Sequence, residues 1–540
     1  MFLLLPKGSE FVIVQSDSGR AVAITSFADA VGETTKIALL QLWIVAYQGS
    51  LDWALSALHS ISHGIFIATL KSITATQGRL ALLNIFRDLG ENLTQFTERW
   101  VPDSWVICMM LTALAILLCI FGAGAGVEET ILAWGQGNWK LLTLAMQFTI
   151  AMVAAHAVVA SRPVYRMFDW LASLPNPDKP VQALLIAGIF SLITGYLNWA
   201  VCLISCALFA PFLLKRNPNT DVRVLIAALY IGIGTVWHGG LSGSAPLILA
   251  TPNNPLLNPT DMAPVVDRIY PVTETLFNPY NLIIISVIGV VALAAVCMLH
   301  PRKNVRTLSA EQIEAILPAS PDVDPAPRTP AQHIDHFRGW VWLAVLLLLY
   351  PLGHSIAHNG FGTSWTINAY NISFLVLALV LHGRPLSFLR ACRAGVDSAW
   401  GIIVQFPFYA GIFGLLQFTN LGKWLGGLFS DLATTETYPF VVYVYSGFMN
   451  LFVPSAGSKW MIEAPFLIPA GETLDVSVVT ITLAYAYGDS LTNLIQPFFA
   501  IPILAVTRLR FGDVVGYTFM VGTAVFAVTS VAMFLLPSNL

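Results

Sequence analysis

A polar stretch interrupts an apolar segment near the C-terminus of the chain. Residues 484–497 read AYAYGDSLTNLIQP, so a carboxylate, small hydroxyls and two amides lie within a run that is otherwise hydrophobic enough to span a membrane. An Asp at the centre of a membrane helix costs about 2.5–3.5 kcal/mol on insertion scales, so such residues persist mainly where they line a cavity or an ion path. Asp489 is therefore predicted to belong to a transport site.

The residues around Asp489 have the chemistry of a cation site. Asp489, Ser490, Thr492 and Asn493 offer hard oxygen ligands of the kind that suit Na⁺, and backbone carbonyls become available where the helix unwinds. An Asp in hydrocarbon can equally carry a proton, because removal from water disfavours its charged form. We expect these four residues to couple transport to Na⁺ or H⁺. The alternative is a structural Asp that caps a half-helix.

A second polar break lies at residues 450–460, which read NLFVPSAGSKW. Its Pro and Gly interrupt the helix, and the free N–H groups that begin the next half-helix can hold an anion. The residues expected to bind a carboxylate there are Asn450, Ser455, Ser458 and Lys459, and Asn198 is expected to do so at the corresponding break in the first half of the chain. The alternative for Lys459 is a pair with Glu463, or an ammonium that reaches the membrane interface.

A third break, WHGGLSGSAP at residues 237–246, lies in the first half of the chain. We expect Gly240, Ser242 and Ser244 to face the same carboxylate from the opposite side. Two histidines, His156 and His238, are interpreted as packing residues in preference to proton relays, because a single membrane histidine usually has a satisfied structural role.

The composition identifies a polytopic membrane protein. Of the 540 residues 56% are hydrophobic and only 11% are charged, well below the roughly 25% charged residues of a soluble domain. A net charge of −3 gives no support for a nucleic-acid partner. The six cysteines form no CxxC pair, so we expect neither a disulfide nor a bound metal other than Na⁺ at the coupling residues, and no cofactor.

The apolar runs divide the chain into two membrane halves of all-α structure with about 11–13 membrane segments. We expect an N-terminal extension of uncertain structure at 1–88, a first half at 89–299, a cytoplasmic linker rich in Pro, Asp and Arg at 300–339, and a second half at 340–540. The predicted spans are 105–121, 141–160, 181–214, 222–250 and 281–299, then 340–352, 366–381, 399–418, 439–470, 478–506 and 514–536. The double-length runs 181–214 and 439–470 are candidate hairpins, formed either by a span with a short return or by two tilted short spans.

The two halves contain a sequence repeat with an offset of about 255 residues, which is a feature of many carriers. The matching elements are Gln147-Phe148 with Gln405-Phe406, Asn198 with Asn450, the APFL runs at 210–213 and 464–467, and Pro246 with Pro502. Lys and Arg mark the cytoplasmic side, and their distribution predicts repeats of inverted topology at 141–250 and 399–506. The two matched glutamines could both face a central cavity, or could form hydrogen bonds between helices.

From about residue 96 onward the sequence resembles the short-chain fatty acid transporter family, within the wider ion transporter superfamily. The resemblance rests on RWVP at 99–102, MQ at 146–147, LNW at 197–199, GGLSGSAP at 239–246, ATP at 250–252, VQFPFYAG at 404–411, VPS at 453–455, GDSLTN at 488–493 and QPF at 496–498. It implies cation-coupled uptake of acetoacetate, butyrate and related monocarboxylates across the bacterial inner membrane by an elevator-like movement.

We therefore expect a secondary active transporter, and no enzyme, that imports a short monocarboxylate together with Na⁺ or H⁺. Its expected partners are a small carboxylate substrate and the lipid bilayer, and a homodimer is among the assemblies open to it. The runner-up is a carrier for a larger or doubly charged carboxylate. An integral-membrane enzyme such as an acyltransferase is less favoured, because no nucleophile has a plausible base at recognisable spacing. A passive channel is also less favoured.

Overall fold

The structure is a computed structural model that describes residues 11–15, 21–25, 102 and 104–540, except for 258–263, 302–303, 320–326 and 497. The chain divides into two units, Met1–Ile85 and Phe86–Leu540. In the first unit the described residues form an antiparallel hairpin of β1 (Phe11–Gln15) and β2 (Ala21–Thr25). The remainder of the predicted N-terminal extension lies outside the described residues.

In the second unit all the regular secondary structure among the described residues is helical. Its helices are α1 Ser104–Leu117, α2 Val127–Gly137, α3 Leu142–Val159, α4 Arg162–Ala172, α5 Pro180–Leu197, α6 Trp199–Arg216, α7 Val222–Gly234, α8 Ser244–Ala250, α9 Pro279–Met298, α10 Ala310–Ile316, α11 Pro330–Asp335, α12 Gly339–Ser364, α13 Ile367–His382, α14 Pro385–Phe418, α15 Leu421–Leu432, α16 Tyr438–Asn450, α17 Ala456–Thr473, α18 Val478–Thr492, α19 Ile501–Thr507 and α20 Phe511–Leu535. A π-helical turn, Leu118–Gly122, extends α1.

Eight of the described helices are long and apolar enough to cross a membrane, and α7 and α13 are shorter apolar helices. The other membrane segments expected from the sequence are helices that are shorter or more polar than these eight, because polar breaks divide the apolar runs. The all-α membrane fold with two inverted repeats is thus confirmed. The repeats meet where α3 packs along α14, and within each repeat equivalent helices make equivalent contacts, α5 with α7 and α16 with α18.

Both double-length runs fold back on themselves as hairpins. In the first, the break is the single extended residue Asn198, and the rings of Phe190 and Phe209 on either side of it lie 4.7 Å apart. In the second, residues 451–455 separate α16 from α17, and the Tyr438 hydroxyl near the start of α16 donates to the Leu467 carbonyl at 2.6 Å. Tyr438 and Leu467 are both far in sequence from the break, so this contact requires two antiparallel arms.

Each repeat also contains a broken helix that lies in the buried core of the helical unit. Every residue of α7 except Arg223 is buried, and so is every residue of α18 except Leu491. The chain leaves helical structure after each and resumes it in a short second helix, α8 or α19. These breaks carry the polar residues predicted to form the site, so the fold brings both of them to the core.

Matched glycines let the central helices approach one another closely. Gly195 lies against Gly232 where α5 crosses α7, and Gly447 lies against Gly488 where α16 crosses α18. A Cβ at Gly488 would overlap the backbone carbonyl of Tyr443. Small residues at such crossings permit the backbone contacts on which membrane helix packing depends.

Candidate functional site

Three buried charged or titratable side chains from three elements, His238, Lys459 and Asp489, form one cluster. His238, in the break after α7, has its Nδ1 3.0 Å from Asp489 Oδ2, and the Lys459 ammonium on α17 lies 3.0 Å from Asp489 Oδ1. All three residues are at most 1% exposed. A buried carboxylate must be paired and hydrogen-bonded, and here His238 from the break after α7 and Lys459 from α17 provide this. The cluster therefore joins both repeats through one acid.

The hydrogen bonds of His238 determine its tautomer. Its Nε2 lies 3.2 Å from the backbone nitrogen of Ala245 at the start of α8 and accepts that N–H. The proton of a neutral imidazole must then be on Nδ1, which donates it to Asp489. The ring also stacks on Trp237 at 4.4 Å. His238 was interpreted from sequence as a packing residue, and the structure places it against the predicted coupling acid as well.

The Lys459 ammonium lies among oxygen atoms. It donates to the backbone carbonyl and to the hydroxyl of Ser446, both at 2.8 Å, with Asp489 Oδ1 as its third oxygen neighbour. The ring of Tyr485 lies 4.5 Å from it. Its ion-pair partner is thus Asp489, rather than Glu463 or the membrane interface, which were the alternatives weighed from the sequence. Within the described residues neither carboxylate oxygen of Glu463 has a hydrogen-bond partner.

The other predicted coupling residues form a polar network at the end of α18. The side-chain amide of Asn450 donates to the Asp489 carbonyl at 2.9 Å, to Thr492 Oγ1 at 3.0 Å and to Asn493 Oδ1 at 2.7 Å. Asn493 in turn donates to the Ile233 carbonyl at 3.0 Å, near the end of α7. The helix breaks of the two repeats are therefore hydrogen-bonded to each other. Ser490 is buried nearby, and its hydroxyl has no partner among the described residues.

A cavity of about 580 Å³ lies between the two repeats and reaches the start of α17. Its walls are mainly apolar and aromatic, with Ser244, Ser398, Ser455, Gln405 and His156 as polar residues. Ser455, Ala456 and Gly457 at the start of α17 line this cavity. The N-cap residue Ser455 makes no side-chain cap to the helix, so the first backbone N–H groups of α17 are available there. Uncapped N–H groups and the positive end of the helix dipole favour an anion at this position.

The residues predicted to bind the carboxylate are distributed over three places. Ser244 and Ser455 line the cavity, and the Ser458 hydroxyl donates to the Ser455 hydroxyl at 2.6 Å. Lys459 and Asn450 belong to the Asp489 cluster described above.

The remaining three predicted residues shape the tip of the first hairpin. Asn198 caps α6 by accepting from the N–H groups of Ala200 and Val201, and Ser242 accepts from the Trp199 N–H at 3.0 Å. Gly240 lies directly against the backbone of Tyr196, where a Cβ would not fit. These three residues position Trp199, which lines the cavity.

The matched glutamines face different spaces. Gln405 lines the large cavity, whereas Gln147 lines a second pocket of about 390 Å³ and donates to Asn368 at 2.8 Å. The second pocket contains Lys140, Thr143 and Gln147 of the α3 region, and the large cavity contains the equivalent Ser398, Gly401 and Gln405 of α14. The two spaces are therefore related by the internal repeat.

Sequence reasoning missed the aromatic walls of the cavity. Phe148, Phe406, Trp199 and Tyr409 line it, and the rings of Phe148 and Phe406 lie 6.0 Å apart across the repeat axis. The matched Gln-Phe pairs carry the signal, because each Phe directly follows a glutamine that could face a central cavity.

Comparison with known proteins identifies the family of the chain. A family model described as short chain fatty acid transporter matches residues 85–536. Provisionally named short-chain fatty acid transporters of Escherichia coli (strain K12) and Haemophilus influenzae (strain ATCC 51907 / DSM 11121 / KW20 / Rd) are each 32% identical, over 426 and 429 residues. Each match covers 79% of this chain and 94% of the relative.

Among solved structures, the YdaH transporter of Alcanivorax borkumensis has a similar fold, with a TM-score of 0.54 at 15% identity over 80% of this chain and 98% of that protein. The match to the family model covers most of the membrane unit, and the two relatives exceed 30% identity over most of their length. The chain is a member of the short-chain fatty acid transporter family.

Proposed function

We propose that the protein is a secondary active transporter that imports short monocarboxylates such as butyrate or acetoacetate by cation symport across the bacterial inner membrane. The observation that carries the proposal is the cavity between the repeats, which ends at the uncapped start of α17 one turn from the Lys459–Asp489 pair. A carrier of this kind needs a carboxylate site, an apolar space for a short alkyl chain and a charge cluster that senses the ion.

The carboxylate is proposed to bind at the first turn of α17. Ser455 and Gly457 line the cavity there, and Ser458 holds the Ser455 hydroxyl by its hydrogen bond. A Cβ at Gly457 would overlap the ring of Phe148, so the absence of a side chain keeps the aromatic wall close to the N–H groups. A carboxylate oxygen can accept from both the N–H groups and the hydroxyl.

The walls of the cavity favour a monocarboxylate over a dicarboxylate. Among the described residues that line it, none is Lys, Arg, Asp or Glu. A second carboxylate would therefore lie against Phe148, Phe406 or Leu203, where its desolvation would have no compensation. A short alkyl or keto chain gains free energy from burial against the same rings.

The coupling cluster and the carboxylate site share the first turns of α17. The Lys459 N–H donates to the Ser455 carbonyl at 2.8 Å, and the Tyr485 hydroxyl, from α18, donates to the Ala456 carbonyl at 2.6 Å. A change in the pairing of Asp489 with Lys459 alters the forces on Lys459 and Tyr485 and hence on the backbone that would hold the carboxylate. This geometry supports symport, in which ion and substrate stabilise the same state.

Uptake into proteoliposomes tests the proposal. Purified protein is reconstituted and the initial uptake of labelled butyrate and acetoacetate is measured with imposed Na⁺ and proton gradients, applied separately, and compared with protein-free vesicles because protonated butyric acid crosses bilayers unaided. Accumulation above the protein-free level under one gradient is the expected result. An absence of uptake under either gradient would contradict the proposal, and labelled succinate would then test the dicarboxylate alternative.

A further inference from the structure

Glu463 is a buried acid with no function in the site described so far. It lies on α17, one helical turn beyond Lys459, and is 1% exposed. Neither of its carboxylate oxygens has a hydrogen-bond partner among the described residues. Removal of a charged carboxylate from water without a partner costs several kcal/mol, so the neutral, protonated acid is the form that fits this position.

The charged and titratable neighbours of Glu463 come from three elements. Lys459 on its own helix and Asp489 on α18 both act on it electrostatically, and Glu463 in turn acts on Tyr445 of α16 and Tyr485 of α18. Lys459 is the cation of this group. Because Lys459 and Glu463 lie four residues apart on one helix, a rotation of the lysine side chain brings its ammonium within reach of Glu463.

Lys459 also fills the position where a coupling cation would bind. Its ammonium is surrounded by Asp489 Oδ1, the Ser446 carbonyl and the Ser446 hydroxyl, which are oxygen ligands of the type that Na⁺ requires. Because this positive charge belongs to a side chain of the protein, it stabilises the Asp489 carboxylate as a bound ion would. A second cation beside it would meet like-charge repulsion at short range.

We propose that the coupling ion is a proton carried by Glu463, and that Lys459 acts as a tethered cation in place of Na⁺. This inference rests on the proposed carboxylate symport. With Glu463 protonated, Lys459 pairs with Asp489 as observed, and this pair supports the first turn of α17. When Glu463 releases its proton to water, the carboxylate that remains attracts the Lys459 ammonium, and Asp489 keeps its hydrogen bond from His238. One proton is bound and one is released in each cycle, and no other group changes its protonation.

The decisive experiment separates exchange from net transport. Labelled acetoacetate is used in proteoliposomes that contain wild-type protein or E463Q, whose amide resembles the protonated acid. Exchange is measured with unlabelled acetoacetate inside and no ion gradient, and net uptake is measured with an inward proton gradient. In E463Q the rate of proton-driven uptake should fall by about tenfold or more, which is the size of effect that a lost coupling between two sites produces. Exchange should continue. The control is E472Q, because Glu472 is an exposed residue at the end of the same helix.

Two further measurements cover the case in which E463Q does not fold. Glu463→Asp keeps a titratable carboxylate and should retain proton-driven uptake, and wild-type uptake should be unchanged when Na⁺ is replaced by K⁺. Full proton-driven accumulation by E463Q, or wild-type accumulation that requires Na⁺, would overturn the inference and leave carboxylate transport intact. An absence of exchange in wild-type protein would instead refute the proposed function on which the inference rests.

Discussion

At the scale of single residues, Asp489 is the acid on which the charge cluster depends. It is fully buried, it pairs with Lys459 from α17, and it accepts a hydrogen bond from His238 of the other repeat. Loss of one member of a buried pair leaves the other charge uncompensated. Substitution of Asp489 should therefore affect both transport and stability, and these two effects can be separated.

We predict that D489N abolishes uphill uptake and lowers the free energy of unfolding by about 3–5 kcal/mol, because Lys459 then remains buried without its acid. The double variant K459M/D489N should recover most of the lost stability, since no unpaired charge remains, but should not recover uptake. Thermal unfolding in detergent and proteoliposome uptake measure the two quantities. Full coupled accumulation by D489N would exclude Asp489 from the mechanism.

Ser455 is the residue that should report on substrate affinity alone. Its hydroxyl is held by Ser458 at the cavity. A hydrogen bond to a charged group contributes about 1.5 kcal/mol, so S455A should raise the KM for the carboxylate about tenfold without a change in ion dependence. Initial uptake rates over a range of substrate concentrations measure this. S430A is the matched control, because Ser430 is a half-buried residue of α15 whose hydroxyl donates to the Gly427 carbonyl and does not line the cavity, and an equal KM for the two variants would place the carboxylate elsewhere.

At the scale of helices, the contact between α16 and α18 fixes the position of Asp489. Gly488, its neighbour in sequence, lies against the Tyr443 carbonyl and the backbone of Gly447, and a methyl group there has no space. We predict that G488A forces α18 away from α16 and lowers the yield of monodisperse protein in size-exclusion chromatography. G427A is the control, because a Cβ at Gly427 of α15 meets no neighbour. Equal yields of the two variants would show that the helices can separate without cost.

The helical elements could be predicted from the sequence because their signals are local. Runs of apolar residues gave the spans, and Asn198 and Asn450 marked the hairpin breaks with a constant offset between the repeats. The pairing of Lys459 could not be predicted. Periodicity along one helix offers Glu463 as its partner, whereas the observed partner is Asp489 on another helix, and only the three-dimensional packing of α17 against α18 decides between them.

The same limit applies to His238 and to the aromatic walls. Nothing in the sequence near His238 indicates an acid 251 residues away, and the hydrogen bond forms because the breaks of the two repeats meet in the buried core of the helical unit. The predicted substrate residues lie in three places, the cavity, the hairpin tip and the charge cluster, and this distribution depends on side-chain directions that local sequence does not encode. Their roles in binding remain predictions.

At the scale of the whole molecule, the two pockets are equivalent spaces on opposite sides of the repeat axis. The large cavity is lined by the middle of α14, from Ser398 onward, which follows Arg384, Arg390 and Arg393 along the chain, whereas the smaller pocket contains the start of α3. Lys and Arg accumulate on the cytoplasmic side of membrane proteins. The large cavity is therefore expected to open to the cytoplasm and the smaller pocket to the outside, as in a carrier whose inner access path is open.

Cysteine labelling tests this assignment of sides. Ser398 lines the large cavity and Thr143 the smaller pocket, and both are exposed. S398C should react with a membrane-impermeant maleimide in inside-out vesicles and T143C in right-side-out vesicles, each compared with the unsubstituted chain, whose six cysteines give the background. Substrate should slow the labelling of S398C because it occupies the same cavity. If S398C reacted only from the outside, the orientation derived from the Lys and Arg distribution would be wrong, although the inverted relation of the two repeats would stand.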